Sequence, residues 1–308
     1  MLKDINRSHF YAFAAVFIWA FAYVGTRAVI SEIGAPELGF MRNFVAAVFF
    51  VALIAVQKLG LPPLRDWPIF LLSGLLGYAL YLLLFNKGME TLNAATSCVL
   101  VGTGPLLTAL IASFIFKEKL RFGAWVSMAV AFAGVAVLAF WEGSLTIDIG
   151  IVWTVLAVVG ASSYNIIQRY LAKRGPGAKV YTSVQMAAYS FFGAVLLSVY
   201  FAPSSIRQFA ALNLSHQGVV VLMGIFPSAL SYLLWAKALR LTANTSSVVN
   251  YLFLTPFITL VLAYFIIDEL PNAGAYYGGG LILLGLFLFS LSMRRGAPRL
   301  VQKSITKI

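Results

Sequence analysis

Ten stretches of about 20 mostly apolar residues, separated by short gaps that hold most of the charge, constrain this chain more than any other feature. Roughly 20 helical residues cross a bilayer core of about 30 Å, and runs of that length leave a soluble fold no polar face to turn toward water. The first five run from Phe10 to Ile30, Pro36 to Val56, Trp67 to Phe85, Ala94 to Phe116 and Phe122 to Trp141. The second five run from Gly150 to Tyr170, Val180 to Phe201, Gly218 to Ala236, Asn244 to Ile267 and Ala273 to Ser292. They are continuous rather than alternating, which excludes barrel strands, and in lipid only helices or closed barrels satisfy the backbone. Hydrophobic residues fill 61% of the 308 positions and charged residues 10%, too little polar surface to coat a globule of this size. The reading is an all-α, polytopic membrane protein with ten transmembrane helices.

A net charge of +12 raises the question of nucleic acid. The basic residues sit in scattered gaps rather than in one patch or stripe, so the partner they fit is a lipid surface and not a nucleic acid. With the amino terminus placed in the cytoplasm, every Lys and Arg except Arg27, Arg42, Lys87 and Arg207 falls on the cytoplasmic side. Nine or eleven helices would scramble that segregation. The expectation is a multi-pass protein of the cell membrane with both termini cytoplasmic. The first run follows Lys3 and Arg7 as a signal peptide would, but it is long and lacks a small-residue cleavage pattern, so it reads as a retained helix. The single cysteine, Cys98, rules out an internal disulfide framework and reads as a small buried hydrophobe.

The chain also repeats itself. At an offset of 151, Pro105 aligns with Pro256, Glu118 with Glu269, Gly123 with Gly274 and Gly134 with Gly285. At 150, Lys87 aligns with Lys237 and Ser97 with Ser247, and a looser match sets Ala20 and Tyr23 beside Ala161 and Tyr164. The units are residues 1–143 and 144–293, followed by a basic cytoplasmic tail, 294–308. Because each unit has an odd number of helices, the second enters the bilayer in the opposite sense, giving two inverted-topology repeats of five. Such a pair points to alternating access.

The aligned residues carry a family resemblance over nearly the whole chain. Pro105 followed by Lys117, Glu118, Lys119, Leu120 and Gly123, repeated as Pro256 followed by Asp268, Glu269, Leu270 and Gly274, resembles the ten-helix, paired EamA-like members of the drug/metabolite transporter superfamily. Trp19 fits that family's tryptophan-glycine pair, with Ala20 in the glycine's place. More narrowly, the sequence resembles the YddG branch of aromatic amino-acid exporters, which implies outward movement of amino acids and related metabolites.

Inverted-repeat carriers bind solute near the midplane between the halves, often where Pro and Gly weaken a helix. That directs attention to the third, fourth, eighth and ninth helices. The third has Gly74, Gly77, Tyr78 and Tyr81 at helical spacing, and the eighth has Pro227, Ser228, Ser231, Tyr232 and Trp235. The sixth carries Ser163, Tyr164 and Asn165 at mid-span, and the ninth Asn244, Ser247, Asn250 and Tyr251. Aromatics with a polar tip suit an amphipathic solute such as a ring-bearing zwitterion, and amides in hydrocarbon should face the bundle interior. The plain alternative is interfacial anchoring by Tyr and Trp and ordinary helix packing by the small residues.

Pro105, Pro227 and Pro256 are hinge candidates, since a mid-helix proline frees carbonyls and permits bending. Glu118 and Glu269 read as gating or capping groups at helix ends. Arg27 and Arg42 lie at the outer ends of the first two helices, where each could hold a solute carboxylate, snorkel to headgroups, or close an external gate by pairing with Glu32 and Glu37. All ten acidic residues map to helix ends or connections, and His9 and His216 to interfaces. With no embedded titrating group, a facilitator is expected; an exporter of drugs or other metabolites coupled to protons is the alternative.

An intramembrane enzyme or a channel is a further alternative, but the enzyme's chemistry is not in the sequence. It has no His and Glu at metal-ligand spacing, no mid-membrane aspartate pair and no serine nucleophile motif. No phosphate-binding loop is present, no cofactor or metal is implied, and the residues do not specify an oligomeric state. The expected partners are the bilayer and a small-molecule substrate, amino acids and amphipathic metabolites foremost.

Overall fold

The computed structural model describes residues 2–115, 117, 120, 122–141, 148–172, 181–241 and 250–294. Among them, eight helices are long and apolar enough to cross a membrane and two shorter apolar helices accompany them. In chain order the spans are Arg7–Val29, Ala35–Gln57, Leu64–Met89, Ala94–Ile115 and Phe122–Leu138, then Ile149–Gln168, Val184–Ala211, Leu214–Trp235, Thr255–Ile267 and Ala273–Ser292. The protein is an all-α polytopic membrane protein. The expected tenth run, Ala273–Ser292, matches the membrane-crossing part of a helix that continues to Arg294. The third and eighth extend further than polarity suggested, because Asp66 opens the third and Asn213 caps the eighth.

Two departures have local causes. The seventh span breaks after Ser198 into a 3-10 turn, Val199–Phe201, and continues as the amphipathic helix Ala202–Ala211, which the sequence reading left as a connection. Pro203 sits in the first turn of that helix, where its missing N–H costs nothing. The ninth span is helical only from Thr255 and is entered through the 3-10 turn Asn250–Leu254, while residues 242–249 lie outside the described part.

Side chains are distributed as a lipid solvent demands. On the first span Phe10, Phe13, Phe17 and Phe21 form an exposed ridge, while Ser8, Ala12, Ala15, Ala20 and Thr26 are buried. Helices gain little from burying apolar surface that lipid already covers, so they associate through close packing and polar contacts, and small residues belong inside. The fifth and tenth spans show this directly. A Cβ on Gly134 would lie 2.6 Å from the carbonyl oxygen of Gly278, and one on Gly285 2.7 Å from Ala131, so the two backbones meet with only glycine between them.

The packing repeats between halves. The first span packs on the eighth and ninth, and the sixth on the third and fourth; the second packs on the eighth, and the third on the seventh. Second with seventh, fourth with ninth and fifth with tenth pack on each other. Exchanging each span for the one five later maps this set onto itself. Local irregularities follow the same rule. The third span carries a π-helical turn at Leu75–Ala79 and the eighth one at Phe226–Leu230, 151 residues on. Lys117 and Asp268, also 151 apart, both adopt the left-handed conformation that ends a helix, with φ of 54° and 50°.

Candidate functional site

Each π turn inserts extra backbone into a helix and re-aims the side chains beyond it. In the third span the turn holds Gly77 and Tyr78 and is followed by Tyr81; in the eighth it holds Pro227 and Ser228 and is followed by Tyr232. Pro227 has no N–H to donate into the turn. At Gly77 the backbone touches the sixth span, and a Cβ there would overlap the ring of Tyr164.

Aromatic residues in and just beyond these turns meet those of neighbouring spans. Tyr78 and Tyr164 share a hydroxyl hydrogen bond of 2.8 Å, with ring centroids 5.0 Å apart. Tyr78 stacks on Phe191 at 3.8 Å and meets the ring of Tyr232 at 5.9 Å. Tyr232 meets Trp19 edge-on at 5.5 Å, and Trp19 meets Trp235 at 5.4 Å. A second string runs from Tyr81 through Phe85 to Tyr23, beside Cys98, whose thiol accepts from Thr259 at 3.4 Å. Phenols buried at this depth need partners, and Tyr78 and Tyr164 supply each other's.

The other expected lining residues are placed differently. Ser163 donates to the carbonyl of Val159 at 2.8 Å in its own helix, so its hydroxyl is committed to backbone. Asn165 does not turn inward with Tyr164. It is exposed, and its amide reaches Thr108 of the fourth span at 3.4 Å, because adjacent residues on a helix point about 100° apart. Ser228 is buried within the π turn. Tyr251 packs its ring 5.7 Å from His9, toward the amino-terminal end of the first span and away from the tyrosine pair. Asn250 begins the 3-10 turn, but its side chain, like Asn244, Ser247 and Glu118, lies outside the described residues.

Pro105 and Pro256 stand where the fourth and ninth spans are interrupted, but not in mid-helix as expected. Each falls in the first turn of the helix after a break, Gly104–Ile115 after the bend at Gly102 and Thr103, and Thr255–Ile267 after its 3-10 turn. A proline there starts a helix rather than bending one.

At the end of the bundle where the first span finishes, the expected pairings of Arg27 and Arg42 with Glu32 and Glu37 do not form. Arg27 Nε instead donates to Glu269 Oε1 at 2.8 Å, and its Nη1 to the carbonyl of Met89 at 3.0 Å. Glu269 Oε2 accepts from the N–H of Ala94, the first residue of the fourth span, at 2.8 Å. Left-handed Asp268 turns the chain back to make this possible. One carboxylate thereby joins the first, fourth and ninth spans and satisfies a helix-terminal N–H that has no partner within its own helix. Glu32 pairs with His216 Nδ1 at 2.7 Å. Between these pairs lies an open cleft of about 740 Å³, lined by Arg27, Ser31, His216, Val219, Ile267 and Glu269. Nearby on the first span Gly25 meets Met223 so closely that a Cβ would lie 2.9 Å from Met223 Sδ.

Arg42 does not snorkel. It is 4% exposed, and its Nη1 donates to Thr26 Oγ1 at 3.2 Å. Its charge is felt by the phenols of Tyr81, Tyr232 and Tyr23. The buried amide of the adjacent Asn43 has no hydrogen-bond partner on either atom.

The family model for EamA-like transporters matches residues 6–140 and again 148–291. The chain belongs to the EamA-like transporter family. Among relatives of this EamA protein is the uncharacterised transporter YdfC of Bacillus subtilis (strain 168), 25% identical, covering 90% of this chain and 89% of that one. A probable terminal-alkyne amino-acid exporter of Streptantibioticus cattleyicolor is 29% identical over 92% and 94%. An S-adenosylmethionine uptake transporter of Rickettsia bellii is 22% identical over 85% and 84%. A solved crystal structure aligns with a TM-score of 0.61 at 18% identity, over 94% of this chain and 98% of that one, which is a likeness of fold. The EamA protein is thus a membrane transporter of small molecules.

Sequence reasoning missed Trp19 as a wall residue, together with Tyr23, Phe85 and Phe191. Two signals were present: Trp19 in the family motif, and the alignment of Tyr23 with Tyr164 between halves. Nothing in the sequence marked Phe191, a regular-helix residue of the seventh span that stacks on Tyr78.

Proposed function

We propose that this transporter exports amino acids, aromatic ones foremost, and related amphipathic metabolites by alternating access. The halves are residues 1–143 and 144–293, inserted in opposite senses in the cell membrane, with both termini and the 294–308 tail in the cytoplasm. The observation that carries the reading is the meeting of Tyr78 with Tyr164 and Tyr232, and of Tyr232 and Trp235 with Trp19, which joins the first, third, sixth and eighth spans in one aromatic cluster. Such a lining offers ring faces to an apolar side chain and hydroxyls to a polar head. The substrates named for two relatives, a terminal-alkyne amino acid and S-adenosylmethionine, both carry an α-amino-carboxylate head. That supports amino-acid chemistry; the preference for aromatic side chains rests on the lining.

The matched packing of the two halves supports the exchange of roles that alternating access needs. In this reading the Arg27–Glu269 pair closes the outer side, and the turns at Pro105, Pro227 and Pro256 let segments move. Among the described residues no carboxylate sits at mid-span, which favours a facilitator over a carrier with a titrating acid. Counterflow in proteoliposomes with a panel of amino acids, run with and without an imposed pH gradient, tests this. Aromatic amino acids should exchange fastest and the pH gradient should not drive accumulation. Accumulation that follows the gradient would replace the facilitator with proton coupling, and exchange of organic cations alone would replace the substrate class.

A further inference from the structure

Arg27 and Arg42, on the first two spans, part ways: Arg27 has a carboxylate partner and Arg42 has none among the described residues. Arg42 lies seven residues into the second span and is 4% exposed. Among the described residues its buried Nε has no hydrogen-bond partner, and Nη1 finds only the neutral hydroxyl of Thr26. No ion pair to it forms among the described residues: Glu269 pairs with Arg27, Glu90 with Lys87 and Glu32 with His216, and Glu37, five residues earlier on its own helix, makes none to it. The phenols of Tyr81, Tyr232 and Tyr23 lie within electrostatic range of it.

A permanently charged group buried without a counter-ion costs several kcal/mol, and ionisable residues inside membrane bundles mark solute pathways. The guanidinium is planar and keeps its charge at any relevant pH, and its free edge matches the two oxygens of a carboxylate. Thr26 holds one corner and leaves Nε open. Position completes the case. Arg42 holds Thr26, whose hydroxyl also reaches Met223 Sδ at 3.7 Å, and the phenols of Tyr81 and Tyr232 lie within electrostatic range, so an anion on Arg42 would have its side chain close to them.

We infer that Arg42 is the carboxylate-recognition residue of the binding site, so that the transported solute must carry a free carboxylate as well as an apolar or aromatic side chain. The inference rests on the transport reading above and sharpens it: amides and esters of the same amino acids are excluded, as are cationic drugs without an acid group.

The test compares L-phenylalanine and L-leucine with their carboxamides, in counterflow and as thermal stabilisers of the purified protein in detergent. Wild type should prefer acid over amide by about 30-fold or more, the size expected of a charge-assisted pair. Arg42→Gln should bring that ratio within about threefold, and Arg42→Lys, which keeps the charge but not the fork, should fall between. Equal handling of acid and amide by wild type overturns the inference, as does an acid preference that survives in Arg42→Gln. So does a parallel loss of both ligands in Arg42→Lys and Arg42→Gln, which would mark a structural role. The thermal assay separates the two claims. If no amino acid exchanges, the transport reading falls, while stabilisation by acids but not amides, lost in Arg42→Gln, still upholds the role of Arg42 and its absence refutes it.

Discussion

Tyr78 and Tyr164 each satisfy the other's hydroxyl, which makes them a sensitive pair to probe. Replacing either with Phe removes one hydrogen bond and leaves its partner unsatisfied at mid-span, a loss of about 1–3 kcal/mol. Half-saturation for the best substrate should then rise about 5-fold or more. Tyr78→Phe with Tyr164→Phe together should be no worse than either alone, since the bond is lost once; a double-mutant cycle in counterflow checks this. Gly77 has the opposite sensitivity. Gly77→Ala drives a methyl into the ring of Tyr164, and overpacking of that kind costs about 1–3 kcal/mol, read as a lower unfolding temperature in detergent. These contacts were only partly legible beforehand. Tyr78, Tyr81 and Tyr232 declared themselves by spacing and repeat. Asn165 misled, because an amide at mid-span was assumed to face inward and one helical step carries it to Thr108 instead.

Individual helices were more readable than their irregularities. Length and polarity gave all ten spans, because a bilayer imposes one thickness on every crossing. They could not give the π turns, which depend on how third and eighth helices are pressed by their neighbours at Gly74, Gly77 and Pro227. Deleting one residue within Leu75–Ala79 or Phe226–Leu230 should restore a regular helix and leave the segment beyond in register, since a π turn holds one residue more than the α turn it replaces, while the side chains inside the turn are re-aimed. The expected product inserts in the membrane and runs as a monodisperse peak on size exclusion, yet gives no counterflow. The latch belongs to this scale as well, because Glu269 reaches Arg27 only through the left-handed end of the ninth span. Arg27→Ala removes a partly exposed ion pair worth about 1 kcal/mol. Cys98, the sole cysteine, is buried beside Tyr23 and Thr259 and serves as a native reporter. A membrane-impermeant maleimide added outside should label it about 5-fold faster in Arg27→Ala than in wild type; an unchanged rate would mean that the pair holds no gate.

For the molecule as a whole, charge placement makes the most consequential claim. Tags at both ends should be reachable by impermeant reagents only from the cytoplasm, and tags on opposite sides would dismantle the inverted arrangement. The general architecture was open to inspection because hydropathy and the Pro105 and Pro256 motifs are properties of single residues. Which face of each helix meets which neighbour was not, since that follows from close approaches such as Gly134 with Gly278, where a missing side chain carries the information. The two π turns, one in each half, have a mechanical consequence. If a carrier bends one joint while its twin relaxes, strain spent at one mouth is recovered at the other, and the inward- and outward-facing forms come out nearly level in energy. A machine balanced in that way has no preferred direction of its own, and solute flows wherever its concentration falls.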